Sequence, residues 1–235
     1  MPTLASLHDD VTAALAGVQS APPARVFFVA CGGSLSIMYP AKFLLDQHSA
    51  LPSDLFNAAE FTARAPKGVG SDSLVILCSM TGTTRETVAA AEFARSRGAR
   101  TIGLTTDVDS PLGKACDHAI GFEAPYTTGV PIDARNSNYA RMYQLLIGLV
   151  ALTGGEDLSA PLMQSLAALQ PAIDRAHDTF APLFTDYAPR FAKEDVIYTL
   201  ASGASFGAAY SFSICVLMEM LWINSQAIHA NEFFH

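Results

Sequence analysis

A run of hydroxyl side chains follows an apolar segment in the first third of the chain. Residues 74–78 are apolar, and five of the nine residues from 79 to 87 carry a hydroxyl group. Gly82 suits a turn, and a helical pattern begins near Thr84. The first N–H groups of a helix are unpaired and favour an anion, and Ser and Thr hydroxyls add neutral donors. The pattern therefore predicts a site for a phosphate monoester in the loop 79–84.

The same loop also fits a purely structural role. Thr83 can act as the N-cap of the following helix, with Glu86 three residues later as its capping-box partner. The two roles are compatible, because one capping hydroxyl leaves the other donors open to a ligand.

A second small-residue loop, Cys31-Gly32-Gly33-Ser34, follows the apolar segment 26–30. Glycine lets the backbone approach a ligand closely, and Ser34 can donate to a sugar oxygen. The alternative is a tight turn with no ligand. In open α/β sheets, ligands bind at the carboxyl ends of the strands, so we expect the two loops to share one site.

A single acidic side chain stands in a long apolar segment near the C-terminal end. Glu219 lies within the stretch 206–223, and no Lys or Arg occurs between residues 194 and 235. Burial among such neighbours disfavours the carboxylate form, which suits a general base that works near neutral pH. Such a base could move a proton between C1 and C2 of a sugar. The alternative is a buried acid held by a hydrogen bond or a distant arginine.

Alternating strand and helix patterns position these residues. We predict strands at 26–30, 54–57, 74–78, 101–105 and 118–122, and helices at 4–18, 84–97, 137–152, 161–180 and 206–223. Residues 136–138 precede a helix, where capping is their expected role. This order predicts an α/β protein with a doubly wound parallel sheet.

The sequence then repeats itself. Residues 197–205 resemble residues 26–34, with strand, small-residue loop and helix in the same order. We predict a first unit at 25–152, a helical connection at 153–193 and the start of an incomplete second unit at 194–235. One strand and one helix cannot close a sheet, so we expect further chain or a partner to complete the second unit.

Composition narrows the classes of partner. The net charge of -8 and the pI near 5.1 argue against a nucleic-acid surface, which needs clustered Lys and Arg. The four cysteines are far apart and lack metal-like spacing, so we expect structural thiols, no metal and no cofactor. Without a signal-peptide pattern, and with Glu219 interrupting the stretch 206–223, we expect a cytoplasmic protein with a buried helix and no membrane span.

At these motifs the sequence resembles the sugar isomerase (SIS) family, from about residue 25 to residue 235. In that family a Ser-x-Ser/Thr-Gly-x-Thr loop binds the sugar phosphate, and a serine after the first strand contacts the sugar. The resemblance implies a flavodoxin-like fold in two tandem SIS units. It also implies a substrate-binding set, in which Met80 stands where glutamine is common: Gly33, Ser34, Ser79, Met80, Thr81 and Thr84.

Two branches of the family are particularly similar, the isomerase part of glucosamine-fructose-6-phosphate synthase and the fructosamine-6-phosphate deglycases. In both branches a glutamate acts as base and a histidine 16 residues later assists as acid, which matches Glu219 and His235. In the synthase, the helix that carries this glutamate has further charged residues. The matching positions here are the apolar Phe212 and Val216, so the resemblance favours the deglycases. Against a role for His235 stands its terminal position, since last residues commonly fray.

The resemblance thus implies an enzyme that cleaves a 6-phosphorylated fructosamine to glucose 6-phosphate and an amine, without a cofactor. We expect a homodimer or higher homo-oligomer, which would also cover the apolar helix 206–223. Two other functions stay open: a phosphosugar-binding module without catalysis, and an aldose-ketose isomerase.

Overall fold

The computed structural model describes residues 7–125 and 129–235. Within these ranges, apolar runs form a parallel sheet of five strands in the order β2-β1-β3-β4-β5. Val26 of the first strand lies in register with Ser53 on one side and Leu74 on the other. The strands are β1 (Arg25–Ala30), β2 (Ser53–Asn57), β3 (Ser73–Cys78), β4 (Arg100–Thr105) and β5 (His118–Gly121). All five predicted strands are confirmed.

Helices cover both faces of this sheet, which confirms the doubly wound fold. They are α1 (Asp9–Gln19), α2 (Gly32–Ser36), α3 (Met38–His48), α4 (Ala58–Arg64), α5 (Arg85–Ser96), α6 (Pro111–Ala115) and α7 (Asn138–Leu152). Buried side chains of α1, α3 and α7 pack on one face, and those of α4, α5 and α6 pack on the other. Residues 4–6 of the first predicted helix lie outside the described residues.

The two faces are separated by the alternation of side chains along β1. Phe28 packs in the cluster that includes Leu15 and Leu145. Phe27 points to the opposite face, where its ring centroid lies 5.7 Å from that of Phe61. Because successive side chains of a strand point to opposite faces, a six-residue apolar strand can anchor two cores at once.

A long helix, α8 (Ser159–Phe191), connects the sheet to the rest of the chain. The predicted end at residue 180 was wrong, because the helix continues through Pro182 and Pro189 as well as Pro171. Nearly all side chains from 170 to 191 are exposed. The carbonyl groups that these prolines leave unpaired are therefore open to water, which lowers the cost of proline inside a helix.

The C-terminal part contains one strand more than predicted. It comprises β6 (Val196–Ala201), a 3₁₀ turn (Gly203–Ser205), α9 (Phe206–Ser211), a π-helix (Phe212–Met220) and β7 (Asn224–His229). The parallel strands β6 and β7 form their own two-stranded sheet. No strand in the described part of the chain pairs with the other edge of β6.

The apolar segment 206–223, which we expected to be buried, is largely exposed. Met220 is 70% exposed and Trp222 is 88% exposed. Only two strands lie beneath this segment, so the sheet is too narrow to cover it. Among the described residues, Gly203–Met220 is the one helical span whose length and mean hydropathy of 1.2 would allow it to cross a membrane.

Phe61→Ala should destabilise the protein by about 3 to 5 kcal/mol, because the phenyl ring is fully buried and leaves a cavity. Urea denaturation followed by circular dichroism measures the loss. The matched control is Phe180→Ala on α8, which removes a half-exposed ring and should cost below about 1 kcal/mol. Equal losses in the two variants would contradict this assignment of the core.

Candidate functional site

A cavity of about 700 Å³ opens at the carboxyl ends of β1, β3 and β5. Segments that follow these strands form one side, and residues of α9 and the π-helix form the other. All six predicted binding residues line it: Gly33, Ser34, Ser79, Met80, Thr81 and Thr84. The fold therefore brings the two loops together at one edge of the sheet, as open α/β sheets do at their ligand sites.

The hydroxyl groups of the 79–84 loop are ordered in pairs. Ser79 Oγ lies 2.9 Å from Thr84 Oγ1, and Thr81 Oγ1 lies 2.7 Å from Thr83 Oγ1. Thr84, not Thr83, occupies the N-cap position of α5, and its side chain makes no capping hydrogen bond. The predicted capping box of Thr83 with Glu86 was therefore wrong, because Thr83 precedes the N-cap and its hydroxyl pairs with that of Thr81.

The carbonyl oxygen of Met80 anchors the loop to the end of β4. It accepts hydrogen bonds from Thr106 N at 2.8 Å, Thr106 Oγ1 at 2.9 Å and Thr105 Oγ1 at 3.2 Å. Three donors on one carbonyl fix the direction of the peptide that carries the hydroxyl pairs. Sequence analysis missed this contact, although two adjacent threonines at a strand end were a visible signal.

Gly82 makes the sharp turn of the loop possible. Its φ of +66° lies in the left-handed region, and a Cβ atom there would stand 2.0 Å from Ser110 Oγ. The carbonyl of Gly82 in turn accepts a hydrogen bond from Leu112 N at 2.9 Å. No side chain fits at this position, so a glycine is required for the loop to pack on α6.

The loop after β1 is helical, contrary to expectation. The short helix α2 begins at Gly32, whose φ is +52°, and Cys31 is its N-cap residue. Burial raises the pKa of the Cys78 thiol to about 12, and the hydrogen bond with the Ser34 side chain opposes that shift. The Ser34 side chain in the first turn of α2 thus lies close to the end of β3.

The cavity offers an anion neutral donors rather than cations. Among the described residues that line it there is no Lys, Arg or His, and the acidic ones are Glu123 and Glu219. Nor do the described ranges contain a group of three His, Cys, Asp or Glu side chains that could hold a metal ion. A phosphate in this cavity would depend on hydroxyl groups and on the first N–H groups of α5.

Only one of the two predicted catalytic residues lines the cavity. Glu219 projects from the π-helix and lines the cavity. Its side chain is exposed, so the expected burial was wrong for this chain on its own. His235 is exposed, is not among the cavity-lining residues, and donates its backbone N–H to Glu232 O at 3.2 Å.

Residues after β5 complete the rim, although the sequence predicted only a capping role for residues 136–138. Ser137 caps α7, as predicted, by accepting a hydrogen bond from Ala140 N at 3.3 Å. Asn138 and Tyr139 line the cavity beside it. Cys31 and Cys215 also face this space from opposite sides, which no spacing rule in the sequence indicated.

Comparison with known proteins assigns the class. The sequence profile described as SIS domain matches residues 21–148, more than half of the chain. The chain therefore belongs to the SIS-domain family, as the resemblance implied.

Individual relatives refine this assignment. The chain is 43% identical over 232 residues to fructosamine deglycase FrlB of Bacillus subtilis, covering 98% of this chain and 70% of that protein. It is 26% identical over 211 residues to fructoselysine 6-phosphate deglycase of Escherichia coli, covering 90% of this chain and 60% of that protein. Both relatives are thus longer than the region they share with this chain.

A solved structure is similar over nearly the whole chain. It is a crystal structure from Bacillus subtilis of a protein classed provisionally as a phosphosugar isomerase. The TM-score is 0.93 at 42% identity, and the match covers 99% of this chain and 70% of that one.

Ser79→Ala should weaken binding of glucose 6-phosphate by roughly 10- to 150-fold, since a hydrogen bond to a charged group contributes about 1.5 to 3 kcal/mol. Isothermal titration calorimetry measures the affinity. Ser96→Ala is the control, because Ser96 lies at the other end of α5 and its hydroxyl bonds only Phe93 O. An unchanged affinity of Ser79→Ala for glucose 6-phosphate would contradict the assignment of the loop 79–84 to the binding site.

Proposed function

We propose that this protein is a deglycase of 6-phosphorylated fructosamines, which releases glucose 6-phosphate and an amine. The observation that carries the proposal is one cavity with a hydroxyl-rich loop on one wall and Glu219 on the other. The 43% identity to a fructosamine deglycase supports the same reaction.

Binding places the substrate phosphate in the 79–84 loop. The paired hydroxyls rotate to donate to phosphate oxygens, and the N-terminus of α5 adds backbone donors and a favourable dipole. Ser34 and the backbone at Gly33 lie on the adjacent loop, where they contact the sugar. The braced carbonyl of Met80 keeps these donors oriented before the ligand arrives, which reduces the ordering cost of binding.

Catalysis uses Glu219 as the base. The C2 carbonyl of the open-chain ketoamine acidifies C1, and Glu219 removes a C1 proton to give an enolamine. Reprotonation at C2 gives an imine at C1, which water hydrolyses to the aldose and the free amine. His235, the predicted acid, would protonate an oxygen or assist ring opening.

The described residues of the second unit leave surfaces near the proposed catalytic residues uncovered. Glu219 and His235 are exposed, β6 has an unpaired edge, and large apolar side chains of α8 and the π-helix face solvent. We infer that a second copy of the chain covers these surfaces and excludes water from Glu219. The cytoplasmic location and the lack of nucleic-acid or membrane partners stay predictions from the sequence.

A non-catalytic phosphosugar-binding module is the second candidate. The separation of His235 from the cavity and the two-stranded second sheet favour it, because the binding loops do not depend on either. This candidate predicts phosphosugar affinity without turnover.

Incubation with fructose-lysine 6-phosphate should release glucose 6-phosphate, detected with a coupled dehydrogenase. Glu219→Gln should lower the rate by about 100-fold or more, because loss of a general base commonly costs that much. The control is Glu92→Gln, which alters an exposed glutamate on α5 outside the cavity and should retain full activity.

Two results would count against the deglycase. Tight phosphosugar binding with no release from any fructosamine 6-phosphate would establish the binding module instead. Interconversion of fructose 6-phosphate and glucose 6-phosphate without amine release would establish the isomerase.

A further inference from the structure

The cavity wall that carries Glu219 consists of α9 and the π-helix and belongs to the second unit. The proposed binding loops on the opposite side belong to the first unit. The wall reaches the first unit through an unusually close crossing of α9 over α2. Gly207 is buried, and a Cβ atom on it would lie 2.2 Å from Ser36 O and 2.8 Å from Pro40 Cδ. The backbone carbonyl cannot yield, so any side chain at 207 must push the two helices apart.

The crossing of α9 contacts α2, the helix that also carries the proposed sugar-binding residues Gly33 and Ser34. Ser36 Oγ donates to Gly33 O at 2.6 Å, so the end of α2 is fixed to its ligand-facing start. Eight residues after Gly207, Cys215 Sγ would stand 3.5 Å from a Cβ atom on Gly33. The wall therefore meets α2 at two points, with Glu219 one helical turn beyond the second.

A hydroxyl pair holds the wall between these two points. Ser213 is fully buried, and its Oγ lies 2.8 Å from Ser225 Oγ on β7. It sits within the π-helix, where wider turns change the direction of each side chain relative to an α-helix. One residue of difference turns the following side chains by roughly 100° around the helix axis. The direction of Glu219 thus depends on this anchored, unusual helix.

We propose that Gly207 and Ser213 are positioning residues, which together set the distance and direction of Glu219 from the bound sugar. The inference rests on the proposed role of Glu219 as base. Gly207 allows the wall to approach α2, and Ser213 fixes the π-helix on β7. Neither touches the phosphate loop 79–84, so phosphate affinity and catalysis are separable.

Gly207→Ala tests the close crossing. With fructose-lysine 6-phosphate, kcat should fall about 100-fold, as expected for a displacement of about 1 Å, while KM changes less than about threefold. Ser213→Ala should lower kcat in the same way with KM retained. The control is Gly70→Ala, whose Cβ atom would have an ordinary 3.7 Å contact with Asp72 Oδ1 and which should match the wild type.

A second readout does not require turnover. Glucose 6-phosphate should slow alkylation of Cys215 by N-ethylmaleimide in the wild type, followed residue by residue with peptide mass spectrometry. In Gly207→Ala this protection should disappear, although calorimetry still detects glucose 6-phosphate binding. If circular dichroism shows that Gly207→Ala does not fold, Ser213→Ala is used for both the kinetic and the alkylation measurement.

The outcomes separate the inference from the proposed function. If the wild type releases no glucose 6-phosphate, the proposed deglycase activity is refuted. The Cys215 protection experiment alone then tests whether Gly207 and Ser213 position the wall. The inference is overturned if folded Gly207→Ala and Ser213→Ala retain the kcat of the wild type. It is also overturned if Cys215 in these variants is protected as it is in the wild type. A wild type whose Cys215 is not protected by the bound sugar phosphate overturns it as well.

Discussion

Under the proposed function, the site must hold a doubly charged phosphate with no Lys, Arg or His among the described residues that line the cavity, and the rest of the site depends on this constraint. Neutral donors are effective only when their directions are fixed in advance, because each is weaker than a charged partner. The contacts behind the ligand loop serve this purpose. The Met80 carbonyl accepts three hydrogen bonds, and Gly82 packs on α6 without a side chain.

The catalytic side of the cavity has the opposite character. The phosphate loop is supported by a complete sheet with helices on both faces, whereas Glu219 is supported by a π-helix on two strands. The first unit also holds this wall, through Gly207 and the contact of Tyr39 with Phe206, whose ring centroids are 5.0 Å apart. The proposed binding loops can thus be preformed, while the position of Glu219, the proposed base, depends on how the two units meet.

The sheet and the phosphate loop could be predicted from sequence because local patterns determine them. Short apolar runs predict the strands, and Gly82 with the neighbouring hydroxyl residues predicts the loop, without reference to distant parts of the chain. The rest depends on contacts distant in sequence. Prolines normally end a helix, but those of α8 leave their carbonyls open to water, and the helix continues. Apolar composition predicted burial of Glu219, yet burial requires a covering surface that composition does not specify.

The unpaired edge of β6 has a consequence for the molecule in solution. A strand edge presents a row of free N–H and C=O groups, and natural sheets protect such edges because they recruit strands from other molecules. Here the edge lies beside the exposed rings of Tyr198 and Phe191, which would add apolar attraction to any such pairing. A copy of the chain in which nothing covers this edge would therefore be prone to open-ended self-association, at a rate that rises with protein concentration.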